Sequence, residues 1–249
     1  MDTAAVPRTR PPRPRRRAPR DPWLLRPPAP DAEALLLCLP YVGTGASMYH
    51  AWPRTIGRAE VCPIQLPGRE SRLRDPVPPT FEALADEIAA GLRPRLDRPY
   101  AIFGHCASAY LALEVALRLD PGRLIVSSMM PPRAAGSASI LDVPEERLGD
   151  VVADTMRARG LEPTTELVEL SLDAMRGDVR AYRRYERLDC PRLRCPITVL
   201  AWTRDDRVPP QATAGWEEHG DVDRTVLDGD HWSFLTAPPA LQDALAKPA

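Results

Sequence analysis

The chain has 249 residues, 44% of them hydrophobic and 27% charged, with a formal net charge of −1. That length suits a single α/β domain, and the apolar share excludes a wholly disordered protein. No apolar run approaches the roughly 18 residues of a membrane span, so a membrane partner is not expected.

The first 30 residues hold eight Arg against two Asp, a net +6, which leaves −7 on the rest of a chain that totals −1. The body is therefore mildly acidic, and nucleic acid is not an expected partner. Residues 1–22 are rich in Arg and Pro and poor in apolar groups, which predicts a disordered tail. Electrostatic docking of that tail to an acidic partner or polyanion is the alternative reading. Trp23-Leu24-Leu25 is cut off at once by Arg26-Pro27-Pro28, too short for the apolar core of an export signal. Residues 23–249 are read as one domain.

Within it, apolar runs of strand length recur at Ala34–Leu39, Val61–Leu66, Tyr100–Phe103, Leu124–Ser128, Ile197–Trp202 and Arg224–Leu227. Helical patterns lie between them. Thr80 caps a segment with Phe81, Leu84, Ile88 and Leu92 at helical spacing, and Tyr110–Leu119 ends before Asp120-Pro121-Gly122. The alternation predicts an α/β fold, a mainly parallel sheet with helices on both faces. Between about residues 131 and 189 it breaks. Helical stretches at Glu145–Arg159 and Thr165–Met175 follow each other without a strand, as a helical lid over a site would, or as added packing helices.

The five cysteines (Cys38, Cys62, Cys106, Cys190, Cys195) form no CxxC and lack zinc-ligand spacing, so neither a metal nor a disulfide frame is expected. A reduced, cytoplasmic setting is the better fit. One cysteine sits where chemistry is expected. Tyr100–Phe103 runs into Gly104-His105-Cys106-Ala107-Ser108 and then into a helix, the form of a G-x-S-x-G nucleophile elbow with Cys for Ser and Ser for the last Gly. Ser108 would have Cys106 and Tyr110 as flanking neighbours, where small residues are needed, so Cys106 is the candidate nucleophile. A buried, inert cysteine is the bland alternative.

Only four histidines could serve as base. His105 precedes the nucleophile and should point away from it, while His50 and His219 lie in polar surroundings and are expected at the surface. His231 follows the last strand, where an α/β-hydrolase places its base. The acid should follow Ile197–Trp202, where Asp205 and Asp206 compete and chain order does not separate them.

Taken together these segments resemble the stand-alone type II thioesterases of nonribosomal peptide and polyketide assembly lines. Trp23-Leu24 with Arg26-Pro27 looks like that family's entry into the domain. Leu39-Pro40-Tyr41-Val42-Gly43-Thr44-Gly45-Ala46 resembles its F-P-H-A-G-G-S-A oxyanion segment, with Tyr41 for His and Thr44 for Gly. Gln65-Leu66-Pro67-Gly68-Arg69-Glu70 matches Q-x-P-G-R-E, and Arg98 through Ala109 matches R-P-Y-x-x-F-G-H-S-M-G-A. Thr203-Arg204-Asp205-Asp206 falls on G-D-x-D-P, placing the acid on Asp205, and Gly229-Asp230-His231-Trp232 falls on G-G-H-F.

The resemblance implies an α/β-hydrolase fold, a Cys106–His231–Asp205 triad, and an oxyanion hole from the backbone N–H groups of Val42 and Ala107. It implies no cofactor of its own, since the substrate rides on the phosphopantetheine arm of an acyl or peptidyl carrier protein. The expected activity is that of a monomeric thioesterase. Trans-acting aminoacyl transferases of the same assembly lines also carry a cysteine at the elbow, so acyl shuttling between carriers is the alternative. A non-catalytic carrier-binding module and a general esterase are the remaining ones.

Overall fold

The computed structural model describes residues 22–132, 143–185 and 192–247. Residues 1–21 of the predicted tail, Cys190 and two stretches of the predicted lid, 133–142 and 186–189, lie outside the described residues.

Seven strands form one sheet in the order β2-β3-β1-β4-β5-β6-β7. The inner strands are β1 (Ala34–Cys38), β3 (Ala59–Pro63), β4 (Tyr100–His105), β5 (Arg123–Ser127) and β6 (Ile197–Trp202). The edges are β2 (Thr55–Ile56) and β7 (Val222–Leu227). Every neighbouring pair is parallel except β2 with β3. The apolar runs explain the layout. β5 and β6 are buried at every position, as strands covered on both faces must be, whereas β7 carries exposed Asp223, Arg224 and Val226 at the edge.

Helices α1 (Phe81–Leu92) and α2 (Ser108–Leu119) pack on each other, and α2 lies against β4 and β5. Thr80 caps α1, its Oγ1 accepting from Ala83 N at 3.2 Å, and Phe81, Leu84, Ile88 and Leu92 form the buried stripe that the spacing predicts. Between β5 and β6 the chain makes α3 (Leu148–Ala158) and α4 (Thr165–Arg183), which pack together with no strand between them among the described residues. The fold is that of an α/β-hydrolase with a helical insertion.

Three details differ from the expectation. Helix α4 runs eight residues past Met175 to Arg183, because Asp178, Val179 and Tyr182 continue its buried face through a polar-looking stretch. The two-residue strand β2 is too short to leave a periodic pattern. The helix α5 (Pro239–Leu245) also escapes the periodicity; its C-terminal carbonyls of Ala244 and Leu245 accept from the buried Arg123 guanidinium at 3.3 and 2.6 Å.

At the passage from β4 to α2, backbone packs directly on backbone. A Cβ on Gly104 would lie 2.6 Å from the carbonyl oxygen of Ser108 and 2.8 Å from Cα of Ala109, both backbone atoms that cannot step aside. Gly104→Ala should therefore destabilise the protein by about 1–3 kcal/mol, as overpacking does. Gly177→Ala, on α4 with nothing within 4 Å of the added carbon, should instead stabilise it by up to ~1 kcal/mol. Urea melts of the two variants check both signs.

Candidate active site

The turn after β4 lifts Cys106 above the C-terminal end of the sheet. Its φ is 54°, in the left-handed region that a residue with a side chain adopts only at a local cost of roughly 1–3 kcal/mol. The turn is held from below, where Cys106 N donates to Ser127 O at 2.8 Å. Ser108 Oγ is engaged by the same turn, donating to His105 O at 2.8 Å and accepting from His105 N at 3.2 Å. Its hydroxyl is thus turned back onto the strand and away from the His231 ring.

Across from the elbow, His231 Nδ1 donates to Asp205 Oδ2 at 3.0 Å, with both side chains almost wholly buried. The other Asp205 oxygen accepts from the N–H groups of Arg207 and Val208, each at 3.0 Å. A carboxylate so fully engaged can only point one way, and it fixes the imidazole with Nε2 free for the thiol. Asp206 is exposed, and the geometry brings Asp205 to His231.

Electrostatics follow from this packing. Burial alone would lower the His231 pKa, but the hydrogen bond to Asp205 and the proximity of Cys106 raise it to about 9. Burial likewise would raise the Asp205 carboxyl, and the bond from His231 with its charge brings it down to about 2. Burial pushes the Cys38 and Cys195 thiols up, and the Cys62 thiol up to about 12.

The surroundings contain features that no sequence pattern announces. His105, expected to point away from the nucleophile, does turn into the core. There it stacks on Phe234 with ring centroids 3.8 Å apart and sets its edge against His231 at 4.8 Å. Its Nδ1 shares a hydrogen bond with Ser127 Oγ at 2.9 Å, and burial holds its pKa well below 6.5, so a neutral ring stands behind His231. Tyr41, in sequence only a departure from the family motif, is buried against His231, Trp232 and Phe234. Burial first, and then proximity to Cys106, raises its phenol, which keeps its proton. His50 is exposed as expected, whereas His219 is buried beside Trp216 and not at the surface. Its ring packs where the chain turns into β7, which polar neighbours in sequence could not reveal.

The oxyanion candidates lie side by side with this group. Gly43 N donates to Asp178 Oδ2 at 2.8 Å and Thr44 N to Tyr41 O at 2.9 Å, so neither is available to a ligand. The N–H groups of Val42 and Ala107 make no such bond among the described residues. Nor do those residues contain a group of three or more His, Cys, Asp or Glu able to hold a metal ion. No described helix is long and apolar enough to cross a membrane.

The pair's pH behaviour has a definite sign. Folding raises the His231 pKa, so its contribution is complete below the ordinary 6.5 and is lost as pH rises through about 9. Folding lowers the Asp205 pKa, so that contribution is complete above the ordinary 3.8 and is lost as pH falls through about 2. Asp205→Asn should therefore cost most stability between about pH 4 and 6.5, with the gap to the parent protein narrowing as pH rises from about 6.5 to about 9 and levelling off beyond. Urea melts across that range measure it.

Known proteins share this architecture. The family profile described as Thioesterase domain matches residues 34–247. A protein named "Probable cadicidin biosynthesis thioesterase" from Streptomyces griseus is 34% identical over 230 residues, 86% of this chain; the match spans 62% of that relative's length. Thioesterase PikA5 of Streptomyces venezuelae is 30% identical, covering 79% of this chain and 74% of its own. Among solved structures, the type II thioesterase BorB from the borrelidin biosynthetic cluster superposes with a TM-score of 0.77 at 30% identity, covering 93% of this chain and 99% of its own. RedJ, a thioesterase of the prodiginine pathway in Streptomyces coelicolor, gives 0.75 at 32% identity, covering 94% and 96%. The profile takes in every strand from β1 to β7 and the helices between them, and the chain belongs to the thioesterase domain family.

Proposed function

We propose that the protein is a type II thioesterase of nonribosomal peptide or polyketide biosynthesis, releasing acyl or aminoacyl groups from phosphopantetheinyl carrier proteins through an acyl-Cys106 intermediate. One arrangement carries the reading: a buried His231–Asp205 pair beside a cysteine held in the left-handed elbow between β4 and α2. Family membership supports the thioesterase part of it, and the names of the relatives point to assembly-line pathways.

In this reading the Cys106 proton already rests on His231 Nε2, where the raised pKa of about 9 keeps it at neutral pH, and the sulfur attacks the thioester carbonyl. The oxyanion forms against the N–H groups of Val42 and Ala107, where one well-aimed donor is worth roughly 2.7–4 kcal/mol. Collapse expels the phosphopantetheine thiol, which takes the proton back from His231. Water, activated by the same imidazole, then releases the acid. Helices α3 and α4 act as the lid.

A second reading is favoured by one observation, the sulfur at the elbow. Acyl-Cys106 is a thioester nearly isoenergetic with the one that entered, so passage to another carrier's thiol needs little driving force. A serine ester would be a poorer donor to thiols. A single-turnover time course with one loaded and one empty carrier protein, read by intact mass, separates the two. Hydrolysis predicts free acid at a rate comparable to acylation; transfer predicts a lasting adduct that only the empty carrier discharges.

Mutation tests the shared chemistry. Cys106→Ala should form no adduct, and Ser108→Ala should keep most activity. His231→Ala should lose at least about 10³-fold in kcat/KM, while Asp205→Asn should lose less than the roughly 10⁴-fold typical of a serine triad, because a thiol gives up its proton more readily than a hydroxyl. Activity retained in Cys106→Ala would overturn the assignment of the nucleophile.

A further inference from the structure

The segment Gln65–Glu70 matches a family motif, yet its described side-chain bonds run within the segment, to the Thr44 and Ser47 stretch and to Asp178, and none to Cys106 or His231. Arg69 is buried, and its Nη1 donates to Thr44 O at 3.1 Å. Glu70 accepts from Ser47 Oγ at 2.5 Å and from Ser47 N at 3.2 Å. Gln65 Nε2 donates to Arg69 O at 3.3 Å, fixing the motif to itself.

The grip is completed from the helical insertion. Asp178 on α4 takes both Arg69 nitrogens at 2.8 Å in a bidentate pair, and its Oδ2 also accepts from Gly43 N at 2.8 Å. One turn earlier, Met175 packs onto the same glycine. Gly43 has φ +73°, and a Cβ there would lie 2.7 Å from Met175 Cε. Two residues of one helix face, three apart, thus press on the residue next to the candidate oxyanion donor Val42.

We infer that Asp178 is a positioning residue for the oxyanion hole, acting through Gly43 and Arg69, so that the hole is aligned only while α4 is seated. The inference rests on the acyl-Cys106 reading. Its physical basis is the choice of partners. The carboxylate holds the Gly43 N–H and Arg69 holds the Thr44 carbonyl, and between them Thr44 N donates to Tyr41 O at 2.9 Å, the carbonyl of the peptide unit that carries the Val42 N–H. Arg69 neutralises the Asp178 carboxylate, so the pair adds no net negative charge beside the developing oxyanion. Lifting α4 away would strand a buried guanidinium and free the turn in one event.

The test uses two reactions of the same sulfur. Iodoacetamide alkylates Cys106 by displacement and develops no oxyanion, whereas the acetyl thioester of N-acetylcysteamine must pass through one. In Asp178→Asn the acylation rate should fall at least tenfold, with the alkylation rate and its pH profile unchanged. Equal rates for both reactions in variant and parent would overturn the inference. A parallel fall in both would overturn it as well, since Asp178 would then be supporting the elbow as a whole. Should Asp178→Asn fail to fold, the double variant Arg69→Met with Asp178→Leu removes both charges at similar volume, and the same selective loss is required of it. The underlying reading fails separately: in that case the parent protein itself gives no acyl adduct on Cys106.

Discussion

Because a Cβ on Gly104 would strike the backbone of Ser108 and Ala109, only a residue without a side chain allows α2 to start so close above β4. The rest of the site depends on that closeness. It forces the chain through a left-handed residue at Cys106, brings the sulfur out of the plane of the sheet, and aims the first turn of α2 at it. The bond from Cys106 N to Ser127 O and the Ser108 hydroxyl folded back onto His105 then hold the turn against the strain. Two strands further along, the ends of β6 and β7 deliver Asp205 and His231 to the same level.

Much of this is legible in the chain. Continuous apolar runs such as Ile197–Trp202 read as strands because parallel inner strands are covered on both faces, and the burial of every β6 residue is the physical reason the reading works. The elbow is legible because its steric demand leaves a mark, small residues around Cys106, the candidate nucleophile. The candidate acid is legible only through the family motif, since Asp205 and Asp206 are equivalent in composition and chain order. What separates them is whether the following N–H groups turn inward.

Other parts leave no mark. Asp178 lies in Met175-Arg176-Gly177-Asp178-Val179-Arg180, where a charged residue in mid-helix reads as solvated. Its burial depends on Arg69, more than a hundred positions earlier, and no local pattern carries such a pairing. The same holds for His219 and for Tyr41, whose surroundings are assembled from separate segments. Periodicity reports which face of an element is apolar; it is silent about a polar residue whose partner arrives from another part of the fold.

Arg123 lends the fold an order in time. Its guanidinium sits at the start of β5, in the middle of the sheet, yet the acceptors described for it are the carbonyls of Ala244 and Leu245 on α5. A ribosome delivers those carbonyls about 120 residues after Arg123 itself. Until then a strand at the heart of the sheet carries a cation that cannot be dehydrated without loss. With β1, β3 and β4 available earlier in synthesis, the Arg123 end of β5 is expected to keep its water until α5 emerges to accept its hydrogen bonds.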